Sequence, residues 1–576
     1  MTPTLTDSRL ANVCASAIHK AFDNYQTEFR AITRRAHDRF ELRDWRAMQS
    51  DATERIELYN RVVRPTVSDV RDLLAERVND KLVWVSIKAV FSALISMRDD
   101  WEIAETFFNS ITRRIFTTVG VDPQIEFVDS DFNAPPTPTT QRVYRTYPRA
   151  ESTTALIAKI LADFPFGIGY QNAARDAAIV AREIEKHLRA IGALQSVDRA
   201  EIVRSIFYRG QGAYIIGKLY SGAHVIPLVL ALLNPPEGIL LDAVLLTEDA
   251  VSILFSFAHS YFHVEVTRPY DLIYFLRTLV PRKRIAELYI AIGYHKHGKT
   301  DLYRDLLCHL AQAEDKFEIA RGERGMVMIV FTLPSYDLVF KIIKDEFAAP
   351  KTSTREQVRA KYDFIFTHDR AGRLIDAQEF EHLQFERFLF SRELLDELQR
   401  VAASNIVVNE TCVVIKHLYV ERRLTPLNIF IREADDNAVR AAVLDYGNTI
   451  RDLAAANVFP GDILLKNFGV TRHAHVVLYD YNEVCHLTDC NFRAMPTARE
   501  EDEMSGETWF YVGPNDFLPE EFRTWLGLPA PWDQVFEEQH GDLFGVAFWQ
   551  TIQNRINQGE VIHIFPYAAS KRLAHR

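Results

Sequence analysis

The stretch Asn457–Asp480, NVFPGDILLKNFGVTRHAHVVLYD, constrains this chain more than any other. Asp462 and Asn467 stand in an Asp-x-x-x-x-Asn arrangement, and Asp480 closes the apolar run Val476-Val477-Leu478-Tyr479. A short loop turns a carboxylate and a carboxamide toward one pocket, and the strand that follows returns a second carboxylate to it from another direction. One carboxylate in such a set accepts the proton of an attacking hydroxyl, while the carboxamide and the other carboxylate hold a metal ion against phosphates. Taken alone the spacing is weak, since chance supplies several in a chain of 576 residues. Its weight comes from what lies upstream.

A chain this long exceeds what one hydrophobic core organises, so two or more domains are expected. Apolar residues recur at helical spacing from Asp7 to about Thr118; Ile103, Phe107, Ile111 and Ile115 form one stripe, four apart. Asp129–Gln141, DSDFNAPPTPTTQ, reads as an exposed loop, because its prolines cannot continue a helix. Helical patterns return in Ser152–Leu161 and Gln171–Ile191, Tyr208–Leu246 reads as a small sheet inserted among helices, and Val251–Val266 and Tyr270–Leu279 are core elements. Lys296 and Lys299 bracket Gly298 at an expected helix break; a solvated connection is the plainer reading, a phosphate-binding turn the sharper one. No internal repeat is present.

Bulk properties exclude several classes. A formal net charge of −11 and a pI near 5.9 argue against nonspecific nucleic-acid binding. The most apolar window, His224–Leu233, falls well short of the ~20 residues that span a bilayer, and the N-terminus lacks an apolar signal core. Five dispersed cysteines suit free thiols in a reducing compartment, and Cys485 and Cys490, beside His486 and Asp489, lack zinc-ligand spacing. The expected location is the cytoplasm.

After Glu314 the pattern changes to strands and Gly-rich turns, which places a domain boundary near residue 315. Ala320-Arg321-Gly322-Glu323-Arg324-Gly325-Met326-Val327 fits the frame G-x-G-x-x-G-x-V, with alanine at the first position. Glycines there let backbone N–H groups approach phosphate oxygens. Lys341 lies in an apolar strand, where a cation must be paired or face a cavity. Thr354-Arg355-Glu356-Gln357 reads as a capping box opening a helix, with Glu356 the candidate partner of Lys341. Val413–Glu421 is the strand into a hinge, and Ala438–Ala456 a long helix before the Asp462 loop. Loop, lysine, helix, hinge, helix, Asp-x4-Asn and strand Asp stand in the order of a protein-kinase-type phosphoryl transferase. Pro460-Gly461 replaces the usual His-Arg and Asp480-Tyr481-Asn482 the usual Asp-Phe-Gly, so the ordinary eukaryotic type is excluded.

These residues, with WEIAETFFNS from Trp101, AELYIAIG from Ala286, RGMVMIVFTLP from Arg324, LAAANVFPGDILLKNFGVTRH from Leu453 and RHAHVVLYDYNEVC from Arg472, resemble bacterial isocitrate dehydrogenase kinase/phosphatase nearly end to end. The resemblance implies an α+β fold: a mainly helical, AMP-sensing regulatory domain over residues 1–314, then a bilobal protein-kinase-like domain over 315–576. It implies ATP (and ADP), Mg2+ or Mn2+, AMP as allosteric effector, and isocitrate dehydrogenase as the protein phosphorylated on serine and dephosphorylated again. It assigns Ala320–Met326 to the ATP loop, Lys341 to the phosphates, Asp462 to catalysis, Asn467 and Asp480 to the metal, and Asp376 to the phosphatase activity. Asp376 is expected to position a water in the same nucleotide-occupied pocket. Asn482 stands where the family carries an aspartate, which removes a charge near the metal and leaves the balance of the two activities open.

A rival from another class is a pseudokinase-like module that binds nucleotide without turnover, favoured by the imperfect glycine loop and the missing His-Arg and Phe-Gly. The intact Lys341, Asp462, Asn467 and Asp480 speak against it. Cys485–Thr508, with its acidic run Glu500–Glu503, is the expected substrate-facing segment; the oligomeric state, a homodimer included, stays open.

Overall fold

A computed structural model describes residues 6–128, 141–193, 196–257, 260–349, 351, 353–368, 370–496, 511–513 and 515–574. The expected loop Asp129–Gln141 therefore lies outside the described residues except for Gln141, as does the segment expected to face substrate from residue 497 on, Glu500–Glu503 included.

Helices α1 (Asp7–Leu42), α2 (Trp45–Leu74), α3 (Lys81–Ile95) and α4 (Trp101–Phe116) open the fold. Asp44 and Asp80 start α2 and α3 by accepting from the N–H groups of Ala47 and Leu82, each at 3.1 Å. In α4 the stripe Ile103, Phe107, Ile111 and Ile115 is buried, as its spacing requires. This helix is enclosed on more than one face, for Glu102 is buried too. Loss of water lifts the Glu102 carboxyl to about 8, and Tyr289 Oη donates to it at 3.2 Å.

Strand β1 (Tyr144–Pro148), helices α5 (Thr153–Ala162) and α6 (Ala173–Ala190), and strands β2 (Arg199–Val203), β3 (Phe207–Arg209), β4 (Gly212–Ser221), β5 (His224–Leu233) and β6 (Leu240–Leu245) follow. The strands form an antiparallel sheet in the order β1-β2-β4-β5-β6, with β3 on β4. Alternation along β4 sends Ile216 into the core of the helical bundle and Ile215 into a second core with α5 and α6. Both faces are covered, which is why this region reads as nearly continuous apolar sequence.

Helices α7 (Glu248–Leu254), α8 (Pro269–Arg277), α9 (Ile285–Ala291) and α10 (His295–Leu310) complete the N-terminal half. The expected break at Lys296-Gly298-Lys299 is corrected: the chain turns at Gly293 (φ 98°), and all three residues lie within α10. Gly298 serves helix packing instead, since a Cβ there would stand 2.5 Å from the Ala286 carbonyl of α9.

The C-terminal half begins with β7 (Glu318–Ile319), β8 (Met328–Leu333), β9 (Tyr336–Ile343), α11 (Arg355–His368), β10 (Ala377–Glu386), α12 (Arg392–Val401), β11 (Ile406–Val408) and β12 (Cys412–Arg422). Its sheet runs β10-β12-β9-β8-β7, with β11 on β12. The capping box forms: Gln357 N–H donates to Thr354 Oγ1 at 3.3 Å and Thr354 N–H to Gln357 Oε1 at 2.8 Å. A hinge after β12 leads to a lower lobe of β13 (Thr425–Pro426), α13 (Leu427–Glu433), α14 (Asp436–Ala455), β14 (Val458–Phe459), β15 (Phe468–Val470), β16 (Val476–Leu478) and β17 (Cys485–His486), with further helices packed on α14.

The upper sheet shares its core with Ala286, Leu302 and Leu306 of α9 and α10, so the two halves are joined by apolar packing. Burying a leucine fully contributes about 1.5–3 kcal/mol. Beside that core, Lys299 Nζ lies 4.8 Å from the centre of the Phe380 ring on β10, and burial with Lys296 alongside drops its ammonium to about 7. The chain end returns to β6, where Tyr567 Oη and Arg572 both bond Asp242 at 2.8 Å. No helix among the described residues is long and apolar enough to cross a membrane, and His224–Leu233 is β5.

Candidate active site between the two lobes

A cavity of about 560 Å³ opens between the upper sheet and the lower lobe, and all of Ala320–Met326 line it. Gly322 sits at φ 127°, and a Cβ on Gly325 would stand 2.9 Å from the Met328 carbonyl, so both positions need glycine. Ala320 is not among the residues held at positive φ, and its N–H donates to Val330 O at 3.0 Å. Alanine therefore satisfies the position where the frame has glycine. Lys344 Nζ holds the loop by donating to Gly325 O at 2.6 Å, while Arg321 pairs with Glu433 of α13 and Glu323 with Lys466 at 3.3 Å. The loop thus reaches across the cleft to the lower lobe.

Lys341 lines the cavity from β9 and is 5 % exposed. Its Nζ lies 2.7 Å from Glu421 Oε2 and donates to Tyr479 O at 2.6 Å. Pairing with Glu356 is corrected: Glu356 is exposed on the first turn of α11, where local backbone groups and Thr354 hold its carboxyl below the usual range. The reason is register. Lys341 stands opposite Tyr419 on β12, and Glu421, two residues on, shares that face. Burial raises the Glu421 carboxyl and Lys341 lowers it, with Asp480 and Asp376 adding repulsion.

Asp462, Asn467 and Asp480 line the same cavity. Asn467 Nδ2 donates to Asp462 O at 3.3 Å, Asn467 O accepts from Tyr479 N–H at 3.0 Å, and Asp462 Oδ1 accepts from Leu464 N–H at 3.2 Å. These bonds fix the loop against the strand that carries Asp480. Burial lifts the Asp462 carboxyl above its ordinary value, and Asp480 pushes the same way. Pro460-Gly461 has its own logic: Gly461 sits at φ 74°, packed directly on the Glu483 backbone with no room for a side chain. Tyr481 is fully buried, donates to Ile375 O at 2.6 Å and meets the Tyr362 ring of α11 edge-on at 5.1 Å. An aromatic residue after the strand Asp thus anchors it to α11.

Asp480 and Asn467 offer the oxygen donors a hard divalent cation takes, and Mg2+ commonly binds one or two carboxylates with phosphate oxygens completing its shell. Among the described residues no group of three or more His, Cys, Asp or Glu is placed to hold a metal by itself. Three buried oxygens on the wall, Glu421 Oε1, Asn428 Oδ1 and Asn482 Oδ1, have no hydrogen-bond partner among the described residues. Donor set and orphaned acceptors fit a metal–polyphosphate guest.

Asp376 does not line this cavity, which corrects its expected placement. It precedes β10, where Ala377 stands opposite Glu421, and Gln378 Nε2 donates to both its carboxylate oxygens at 2.8 and 2.9 Å. Burial raises its carboxyl to about 6, with Glu287 of α9 adding to the rise and Gln378 and Lys283 opposing it. The carboxylate is therefore at the border of the two halves, on the hinge side. The sequence reading also missed Glu421, whose signal was a carboxylate ending an apolar strand, and Lys466, one residue before Asn467.

The family model "isocitrate dehydrogenase kinase/phosphatase (AceK), regulatory domain" matches residues 15–314, and its kinase-domain counterpart matches 315–569. Isocitrate dehydrogenase kinase/phosphatase of Anaeromyxobacter sp. (strain Fw109-5) is 50% identical over 565 residues, covering 97% of this chain and 98% of that protein. The protein so named in Xanthomonas euvesicatoria pv. vesicatoria (strain 85-10) is 40% identical over 571 residues, 98% of each chain.

Proposed function

Because the chain belongs to the isocitrate dehydrogenase kinase/phosphatase family, we propose that it phosphorylates a serine of NADP-dependent isocitrate dehydrogenase with ATP and removes that phosphate again. It would do so in the cytoplasm, setting the branch between the citric acid cycle and the glyoxylate bypass. The regulatory-domain match over residues 15–314 and the kinase-domain match over 315–569 support a regulatory domain of residues 1–314 ahead of a catalytic domain of residues 315–576. AMP would act from the first or from its border with the second. The observation that carries the reading is the convergence of Lys341, Asp462, Asn467 and Asp480 on one cavity under the Ala320–Met326 loop. A module without turnover would have no need to keep all four.

Asp462 accepts the proton of the substrate serine hydroxyl, and its raised carboxyl makes it the better base for that task. Lys341, oriented by Glu421 and Tyr479 O, contacts the α- and β-phosphates. N–H groups of Ala320–Met326 would cradle phosphate oxygens, and Asn467 and Asp480 would hold Mg2+ or Mn2+. A metal bound there neutralises charge developing on the phosphates. For the phosphatase activity Asp376 would act as a positioning residue from the start of β10, where its neighbour Ala377 stands opposite Glu421.

The test is incubation with labelled ATP and purified isocitrate dehydrogenase, followed by an ADP chase. Label should enter the dehydrogenase and then leave it; no entry would overturn the reading.

A further inference from the structure

Cys485 and Cys490 stand side by side, Sγ to Sγ at 3.6 Å, across the turn Leu487–Asp489. Cys490 is buried, with its Sγ 3.4 Å from His486 O, while Cys485 is half-buried. Lys361 Nζ donates to Val484 O at 2.8 Å, which brings an ammonium next to Cys485. The neighbouring thiol and that ammonium lower the Cys485 pKa, against burial and the acids Asp489 and Glu483; the Cys490 thiol is pushed up.

The pair is built into the floor of the catalytic loop. Cys485 is opposite Phe459 in the β14–β17 ladder, three residues before Asp462. Gly461 packs on the backbone of Glu483, two residues before Cys485. Gln553 Nε2 clamps the turn, donating to Leu487 O and Cys490 O at 2.7 Å each.

We propose that Cys485 and Cys490 form an oxidisable dithiol, a modification site at which hydroperoxides close an intrachain disulfide and thereby shift the catalytic loop. The Cys485 thiolate attacks one peroxide oxygen, the O–O bond breaks, and hydroxide or alkoxide leaves, taking up the proton the thiol had released to become water or an alcohol, with a sulfenic acid left on Cys485. Cys490 sulfur then displaces hydroxide from that sulfenic acid, its thiol proton leaving with it as water. Two thiols lose two electrons and two protons, and the peroxide is reduced. Moving the sulfurs from 3.6 Å to bonding distance draws β17 or the turn, and through the ladder and the Gly461 contact it draws Asp462. The effect on turnover rests on the proposed kinase activity; the disulfide does not.

The full chain is exposed to hydrogen peroxide, quenched by alkylation, and peptide-mapped without reduction. A linked 485–490 peptide, lighter by two hydrogens, is expected at doses that first oxidise the exposed Cys308. Kinase turnover should fall in step with the link and return with dithiothreitol; Cys485→Ser and Cys490→Ser should keep turnover under peroxide, and Cys308→Ser should not. Absence of the link at doses that oxidise Cys308 would overturn the site. A link formed with turnover unchanged would overturn its coupling to the loop.

Discussion

The Lys341 ammonium is held 2.7 Å from the Glu421 carboxylate, strand to strand across the upper sheet, with both side chains buried. The same ammonium reaches Tyr479 O, one residue before Asp480, at 2.6 Å. One ion pair thus ties β9, the hinge strand β12 and the strand delivering Asp480.

Removing one partner of a buried pair leaves the other charge without compensation, at a cost of about 3–5 kcal/mol. Glu421→Ala should lower stability on that scale in urea unfolding and abolish kinase turnover. Glu356→Ala should alter neither, and equal damage from the two substitutions would restore Glu356 as the partner.

Asp462→Asn removes the base while keeping the shape of the loop. Phosphorylation of isocitrate dehydrogenase should fall by about 10²–10⁴-fold, with ATP affinity retained by titration calorimetry. Undiminished turnover would take Asp462 out of the mechanism.

Gly461→Ala forces a side chain into the left-handed region and onto the Glu483 backbone. A strained backbone of this kind costs about 1–3 kcal/mol, and displacement adds to it. The variant should melt lower and lose turnover; wild-type values for both would show that the loop yields without consequence.

The Asp376 carboxyl has a folded value of about 6 against an ordinary 3.8. Folding therefore favours its protonated form. The stability it contributes is fully present below the unfolded value and is lost as pH rises through the folded one, about 3 kcal/mol at most. Asp376→Asn, neutral throughout, should gain on the wild type between about pH 4 and pH 6 in unfolding free energy. It should also lower phosphatase turnover and shift the pH profile of what remains while keeping most kinase turnover. Parallel stability curves would refute the raised value.

Much of the site was legible because its logic is local. The α4 stripe follows from helical period, the Thr354–Gln357 box from a four-residue spacing, and the Gly322 and Gly325 loop from steric need at single positions. Gly298 misled for the opposite reason: a glycine required by contact with α9 carries no local mark that separates it from one required by a turn.

Composition, periodicity and motif order by themselves determined a helical first half, a strand-rich second half and the residues that could do phosphoryl transfer, since backbone sterics and side-chain direction act over a few neighbours. Tertiary structure alone decided that Lys341 pairs with Glu421, that Asp376 stands at the hinge and outside the cavity wall, and that two thiols meet beneath the catalytic loop. Strand register and burial set those relations, and both depend on how distant segments pack.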